Sequence, residues 1–405
     1  MLLEAGRHQP LSGARWDPSV ARRAIGAIAR DAEDRFSTEN LWPAHPLDHE
    51  GRPPEAPYTG LYVGAAGIIA ALDCLARRGL ARSTMRFGEA LAAIEEGSAG
   101  ELESDDWGRE SYLIGRSGIL LTRYRASPSP DIADRLARSI AANTHHATRE
   151  LMWGAPGTMH AALAMYEWTR EERWAELYRA GARALGAALE PRGGCELWTQ
   201  EIWGRRLVML GAAHGYAGAA GALIRGLDLL QPSERGAWIE RIVRATIATA
   251  KRERGLANWL PEAHGSGRTK WLVQWCHGAP GVVTSLAALP DARLDELLVA
   301  GGELIWTAGP LVKGAGLCHG TAGNGYAFLK LFRRTGNELW LDRARAFAMH
   351  AIAQSEAHAA RYGMRRYSLY TGDPGLAIYL LCCLDGSDAW PGLDPEAIPT
   401  TGAGL

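Results

Sequence analysis

The chain has 405 residues, 47% of them apolar, which is ample for a large buried core. Its 44 Lys and Arg against 45 Asp and Glu leave a formal net charge of -1, so no single-sign field argues for nucleic acid or an anionic membrane as partner. Six cysteines are too few at this length for a disulfide scaffold.

The opening residues, MLLEAGRHQPLSGARW, contain no apolar stretch of signal-peptide length. The longest apolar run, LAIYLLCCL at 376–384, is about half of what a membrane span needs. The expectation is a soluble, cytoplasmic protein with no membrane span. From residue 64 onward the chain is punctuated by G-x-x-G, and each instance precedes an apolar stretch. Gly64-Ala-Ala-Gly67 leads into IIAALDCLA (68–76), and Gly115-Arg-Ser-Gly118 into ILLTRYRA (119–126). Gly154-Ala-Pro-Gly157 leads into TMHAALAMYEW (158–168), and Gly215-Tyr-Ala-Gly218 follows. Gly278-Ala-Pro-Gly281 precedes VVTSLAAL (282–289), Gly320-Thr-Ala-Gly323 precedes NGYAFLKLF (324–332), and Gly372-Asp-Pro-Gly375 is last. The first glycines lie 39 to 63 residues apart, within the range that marks repeat architectures.

The Ala- and Leu-rich stretches after the glycines read as buried helices. Between them lie amphipathic stretches, at 171–189, 233–252 and 338–355. In the last of these Leu341, Ala344, Ala348 and Ile352 recur at helical spacing, with Asp342, Arg343 and Arg345 facing elsewhere. Strand alternation is nearly absent. Each repeat thus reads as an outer amphipathic helix, a loop, G-x-x-G and an inner apolar helix. The predicted fold is all-α: one domain over residues 1–405, a closed α/α toroid of seven hairpins with inner and outer helix rings, its repeats spanning about 55–390. An open helical array is the alternative.

Aligned on the first glycine, the repeats differ at the two preceding residues. Four repeats carry Tyr62-Val63, Leu113-Ile114, Met152-Trp153 and Tyr370-Thr371. The fourth, fifth and sixth carry Ala213-His214, Cys276-His277 and Cys318-His319. In a toroid these three repeats are neighbours and their equivalent positions converge at one end. Two thiolates and an imidazole suit zinc, and three protein ligands leave a fourth position for a substrate. Cys276, Cys318 and one histidine are the expected set, with the choice between His277 and His319 left open by the sequence. The positive ends of the helices would favour thiolates there. A substrate thiol is the natural fourth ligand, because coordination deprotonates it. His214, one repeat away in the same register, is a candidate for proton transfer, as is His277 if His319 binds the metal. Cys74, Cys382 and Cys383 read as packed, and Cys195 as a loop residue. His145, His146, His350 and His358 read as solvated on outer helices, and His160 as packed on an inner one.

On these residues the sequence resembles the lanthionine synthetase C-like family. The resembling stretches are LGAAHGYAG (210–218), WLVQWCHGAPGV (271–282), KGAGLCHGTAGNGYAFL (313–329) and YSLYTGDPG (367–375). The resemblance implies an α/α toroid, Cys276, Cys318 and His319 as ligands of Zn2+, and His214 as acid/base. It implies addition of thiols to dehydroalanine or dehydrobutyrine, within a dehydrated peptide or protein or with glutathione as the thiol. Peptide cyclases of the family often carry an aspartate four residues before the second G-x-x-G, where this chain has Ser111. They often have an arginine four before the first zinc cysteine, where Leu272 stands, and a tyrosine where His277 stands. These departures resemble the glutathione-using branch, as do Lys313 and the Arg365-Arg366 pair, which are expected near a thiol carrying two carboxylates.

Two rival readings are a non-catalytic zinc- or glutathione-binding module and a carbohydrate-active toroid. The latter wants paired carboxylates, and Asp105-Asp106 and Asp373 form no such pair in the helix-start register. No nucleotide-binding loop is found.

Overall fold

Every G-x-x-G begins a helix, with its first glycine at the N-cap and its second three residues into the first turn. A computed structural model describes residues 2–49, 57–81, 87–97, 108–263 and 270–394, and among these it contains fourteen α-helices. The inner helices are α2 (Ala65–Arg77), α4 (Arg116–Ala126), α6 (Ala155–Thr169), α8 (Tyr216–Arg225), α10 (Ala279–Leu286), α12 (Thr321–Thr335) and α14 (Asp373–Asp385). The outer ones are α1 (Pro18–Asp34), α3 (Phe87–Gly97), α5 (Pro130–Asn143), α7 (Glu172–Ala187), α9 (Pro232–Thr249), α11 (Asp295–Ala308) and α13 (Glu338–Tyr362).

The two rings start their helices differently. Proline in the first turn occurs in both rings, but side-chain caps are found on outer helices. Asp17 accepts from the Ser19 N–H at 2.7 Å, and Asn337 accepts from Leu339 at 3.0 Å. The inner helices have glycine caps without such bonds, and in five of the seven the first N–H group is taken by a loop carbonyl seven residues back. Ala65 donates to Tyr58, Arg116 to Arg109, Tyr216 to Met209, Thr321 to Gly314 and Asp373 to Arg366, at 2.8 to 2.9 Å. In α10 the Asn258 side chain replaces the carbonyl, accepting from Ala279 at 2.7 Å. The loop must therefore fold tightly under the helix start, and the second glycine makes room. A Cβ on Gly323 would fall 1.7 Å from the Leu317 carbonyl oxygen, far inside any tolerable contact.

The same glycines close the ring. Gly118 faces the Leu61 side chain of the preceding repeat, Gly157 faces Tyr112, Gly218 faces Leu151, and Gly375 faces Leu317. Gly67 of the first repeat faces Leu369 of the last. A backbone relay runs with it: Cys276 donates to the Cys318 carbonyl, Cys318 to Tyr370, Tyr370 to Tyr62, and Tyr62 to Leu113, at 2.7 to 3.1 Å. The architecture is a closed α/α toroid, as expected. The packed pairs, however, join each inner helix to the outer helix that follows, as α6 to α7 and α12 to α13, while α1 packs on α14 and completes the last pair.

Six short strands depart from the expected all-helical reading. Antiparallel β1 (Leu189–Arg192) and β2 (Cys195–Trp198), β3 (Gln200–Ile202) and β4 (Arg205–Leu207), and β5 (Lys251–Glu253) and β6 (Leu256–Asn258) form three hairpins in the loops between helices. The centre is packed. Buried Trp275 stacks on buried Trp390 at 4.8 Å, and Trp390 contacts Tyr326 at 4.8 Å, which contacts Tyr379 at 5.1 Å. Trp390 belongs to the segment after α14, which folds back into the barrel.

Candidate metal centre

The loops of the fifth and sixth repeats bring three donors together. The Cys276 and Cys318 sulfurs and a His319 ring nitrogen lie within 4.8 Å of one another. Both cysteines are buried and His319 is half-buried. The backbone bond from Cys276 to the Cys318 carbonyl fixes the spacing of the two loops. The structure groups His319, not His277, with the two cysteines.

A hydrogen bond from Cys318 holds the Cys276 thiol well below its ordinary range against the opposing effect of burial, aided by His277 and His319. The same bond, with burial, pushes Cys318 well above its ordinary range. Gln274 donates to the Cys276 sulfur at 2.9 Å and accepts from Arg7 at 2.7 Å. Two sulfurs and one imidazole nitrogen, half-open to solvent, are a donor set that fits a borderline-soft divalent cation and leaves a coordination position free.

His214 stands beside this group. Its Nδ1 is 3.2 Å from an oxygen of Glu150, a fully buried carboxylate that also accepts from the Met152 and Trp153 N–H groups at 2.9 and 2.8 Å. The His214 ring stacks on Trp153 at 5.1 Å and lies 6.4 Å from the His277 ring. A Cβ on Gly211 would meet the His277 Nδ1 at 3.0 Å, so that imidazole is closely held. Glu150 was not anticipated from the sequence. It sits four residues before Gly154, the register that Ser111 occupies one repeat earlier. Ser111 is buried and caps its own loop by accepting from the Gly115 N–H at 2.9 Å.

A cleft beside His319 is lined by His45, Lys313, His358, Arg366 and Asp373, among others. Lys313 is exposed at its edge. Arg366 borders it but is ion-paired with buried Asp48, which also accepts from Thr371 at 2.8 Å. Arg365 is displaced from the expected place. It does not line the cleft; it donates to Ser355 at 3.0 Å and to Glu356 at 2.7 Å on α13. Two histidine expectations also fail. His350 is buried, bonded to Gln9 and Ser12 because the N-terminal segment crosses over α13, and His358 borders the cleft. His160 is packed, as expected, with its Nδ1 3.0 Å from the Leu393 carbonyl. Asp373 is buried, accepting from Ser355 and the Arg366 N–H. Asp105 and Asp106 lie outside the described residues.

A model of the family described as lanthionine synthetase C-like protein matches residues 52–394. The chain belongs to that family. Its likeness to LanC-like protein GCL1 of Arabidopsis thaliana is 45% identity over 95 residues, 22% of each chain. To glutathione S-transferase LANCL1 of Danio rerio it is 40% over 114 residues, 27% of this chain and 28% of the relative. The matched stretch thus spans about a quarter of the length of these curated relatives. Among solved structures nisin cyclase superposes with a TM-score of 0.60 at 15% identity, covering 92% of this chain and 99% of the other. That superposition agrees with the toroid, the fold shared across the lanthionine synthetase C-like family. Among the described residues no helix is long and apolar enough to cross a membrane.

Proposed function

We infer that the chain, acting as one toroidal domain, forms thioethers by zinc-dependent addition of a thiol to dehydroalanine or dehydrobutyrine in a peptide or protein. The observation that carries this reading is the convergence of Cys276, Cys318 and His319 beside a carboxylate-held His214. Bound there, zinc would present a substrate thiol as thiolate near neutral pH.

The chain's own residues account for the remaining steps. Attack of the thiolate on the β-carbon puts negative charge on the carbonyl of the dehydro residue, and the α-carbon then takes a proton. His214 is placed to deliver it. Glu150 accepts the Nδ1 hydrogen and so reserves Nε2 for exchange. His277, 6.4 Å away, is the nearby candidate to steady the enolate or relay the proton. Lys313 offers a cation at the cleft edge for a carboxylate of the thiol substrate, with Arg366 bordering the same cleft and Arg365 outside it, bonded to Ser355 and Glu356 of α13. The printed name of the Danio rerio relative favours glutathione as that thiol. All six cysteines are free, which suits a reducing, cytoplasmic setting.

The test is mass spectrometry of a dehydroalanine peptide incubated with the zinc-loaded chain, with and without glutathione. A gain of one glutathione supports the intermolecular reaction. A cysteine-containing peptide that keeps its mass and loses its alkylatable thiol supports ring closure. Neither product, with stoichiometric zinc bound, sinks the reading in favour of a binding module. His214→Asn is expected to keep its zinc and lose about 100-fold or more in turnover.

A further inference from the structure

The β3–β4 hairpin ends in a residue that its backbone does not favour. Ile202 pairs with Arg205, so the turn is the two residues Trp203 and Gly204, and both have positive φ, 53° and 67°. Two-residue turns of this kind select Asn-Gly, Asp-Gly or Gly-Gly. A tryptophan there is held in a conformation that bulky side chains rarely adopt. Folding does not explain its presence, since Trp203 is 55% exposed, the most exposed large apolar side chain among the described residues. A mismatch of this sort at the edge of a site is the usual mark of a residue kept for function.

Its position is defined. Ile202, Leu207 and Met209 form a small buried cluster against Trp153, and Gln200 anchors the hairpin base by accepting from the Met209 N–H at 2.8 Å. On this base the Trp203 ring stands edge-on to His214, with centroids 5.3 Å apart, and perpendicular to Trp153 at 6.4 Å. Trp153 and His214 make a floor and Trp203 a wall. Two further exposed apolar groups adjoin residues of the cleft beside His319: Leu47, 43% exposed, whose carbonyl accepts from Arg366, and Val312, 49% exposed, next to Lys313. A glutathione-sized thiol needs no such rim; a peptide chain running through the site does. The exposed charges beside it are mixed, Arg205 and Arg206 against Glu201 across the hairpin and Glu190 3.7 Å from Arg206, so the apolar ring is what sets this wall apart.

We propose that Trp203 is a specificity-determining residue that packs an aliphatic or aromatic side chain flanking the reactive residue of the peptide substrate. This deepens the thioether-forming reading and rests on it for the position of the reactive residue. The test uses peptides that cannot react, with alanine in place of the dehydro residue: acetyl-Gly-Leu-Ala-Leu-Gly-amide and its all-glycine-flanked counterpart. Binding to the full chain is measured by calorimetry. Trp203→Asn removes the ring and suits the turn, so the hairpin is retained. The asparagine variant should bind the leucine-flanked peptide about tenfold more weakly and the glycine-flanked one less than about threefold more weakly. Trp203→Phe should stay within about threefold of the parent on both. No binding by the parent chain, equal affinities of parent and Trp203→Asn, or equal losses on both peptides overturns the proposal. Binding with the expected Trp203 dependence, coupled with no conversion of the matching dehydroalanine peptide, overturns the thioether reading alone and leaves the apolar wall in place.

Discussion

The two ends of the toroid are built from the same seven inner helices and differ in what the chain does with them. At the helix starts, tight loops gather two buried thiols, three half-buried imidazoles and the buried Glu150 carboxylate. At the other end the segment after α14 turns back into the barrel, burying Trp390 and leaving the residues around it half-buried. Trp390 packs under Trp275, the Pro391 carbonyl accepts from Tyr370, and Asp394 pairs with Arg225 and Lys330 at 2.8 and 3.1 Å. Polar groups at the first end are placed for exchange with solvent and ligand, and those at the second are matched to one another. Chemistry and stability are thus separated along the axis, and Trp275, adjacent to Cys276 yet stacked on the plug, is where they meet.

The largest effect expected from this separation is at the open end. Cys276→Ala or Cys318→Ala removes one of three ligands, and zinc content should drop from about one per chain to below about 0.1. Tyr370→Phe at the equivalent position of the next repeat should leave zinc unchanged, since Tyr370 takes part in the same backbone relay but turns its hydroxyl to the plug. Metal analysis after gel filtration decides it, with circular dichroism as the check on folding. Equal zinc in the two kinds of variant would break the comparison.

At the closed end the expected change is in stability. Asp394→Asn takes the shared carboxylate from Arg225 and buried Lys330, which keep only Glu167 and Asp388, and should lower unfolding stability by about 3 kcal/mol while zinc content holds. Although burial alone would raise it, Lys330 and Arg225 hold the Asp394 carboxyl down to about 2. Urea titration gives the stability and metal analysis the zinc. A variant that lost its zinc without losing stability would show that the plug serves the site and would reverse the assignment of the two ends.

Much of the open end was legible in the sequence because the repeats supply their own control. Cysteine at a position filled elsewhere by Tyr62, Leu113, Met152 or Tyr370 stands out against its register, and the toroid followed from the glycine spacing. What was not legible depends on contacts distant in the chain. Glu150 and His214 are 64 residues apart, and nothing local links them. His350 was expected in solvent because its helix is amphipathic, yet Gln9 and Ser12 cover it from more than three hundred residues away. Arg365 and Arg366 are adjacent, but only Arg366 borders the cleft. The strands escaped notice because three or four residues carry no readable alternation. The plug escaped for a similar reason, since the segment after α14 has no periodicity and its anchors are single residues on separate helices.

The smallest effect separates the histidines of the two ends by pH. His160 lies against the plug, and burial first, then the charge of Arg225, pushes its pKa down to about 4. Unfolded, it would titrate near its ordinary 6.5. Between those values the unfolded chain binds the proton and the folded chain does not, so the stabilising contribution is complete above about 6.5 and is lost as pH falls toward 4. From pH 7 to pH 5 this one group should cost the parent about 2 kcal/mol. His160→Gln can still donate to the Leu393 carbonyl and has no such proton to bind. Its stability should therefore fall less over the same interval, by about that amount, even if its value at pH 7 is lower. Denaturant titrations of both proteins at pH 7 and pH 5, in metal-free buffer so that the cysteine and histidine ligands do not contribute a binding term, measure the difference. Parallel losses in the two proteins would mean that His160 is protonated without unfolding the plug, and the closed end would then be less tightly matched than its ion pairs and aromatic stack require.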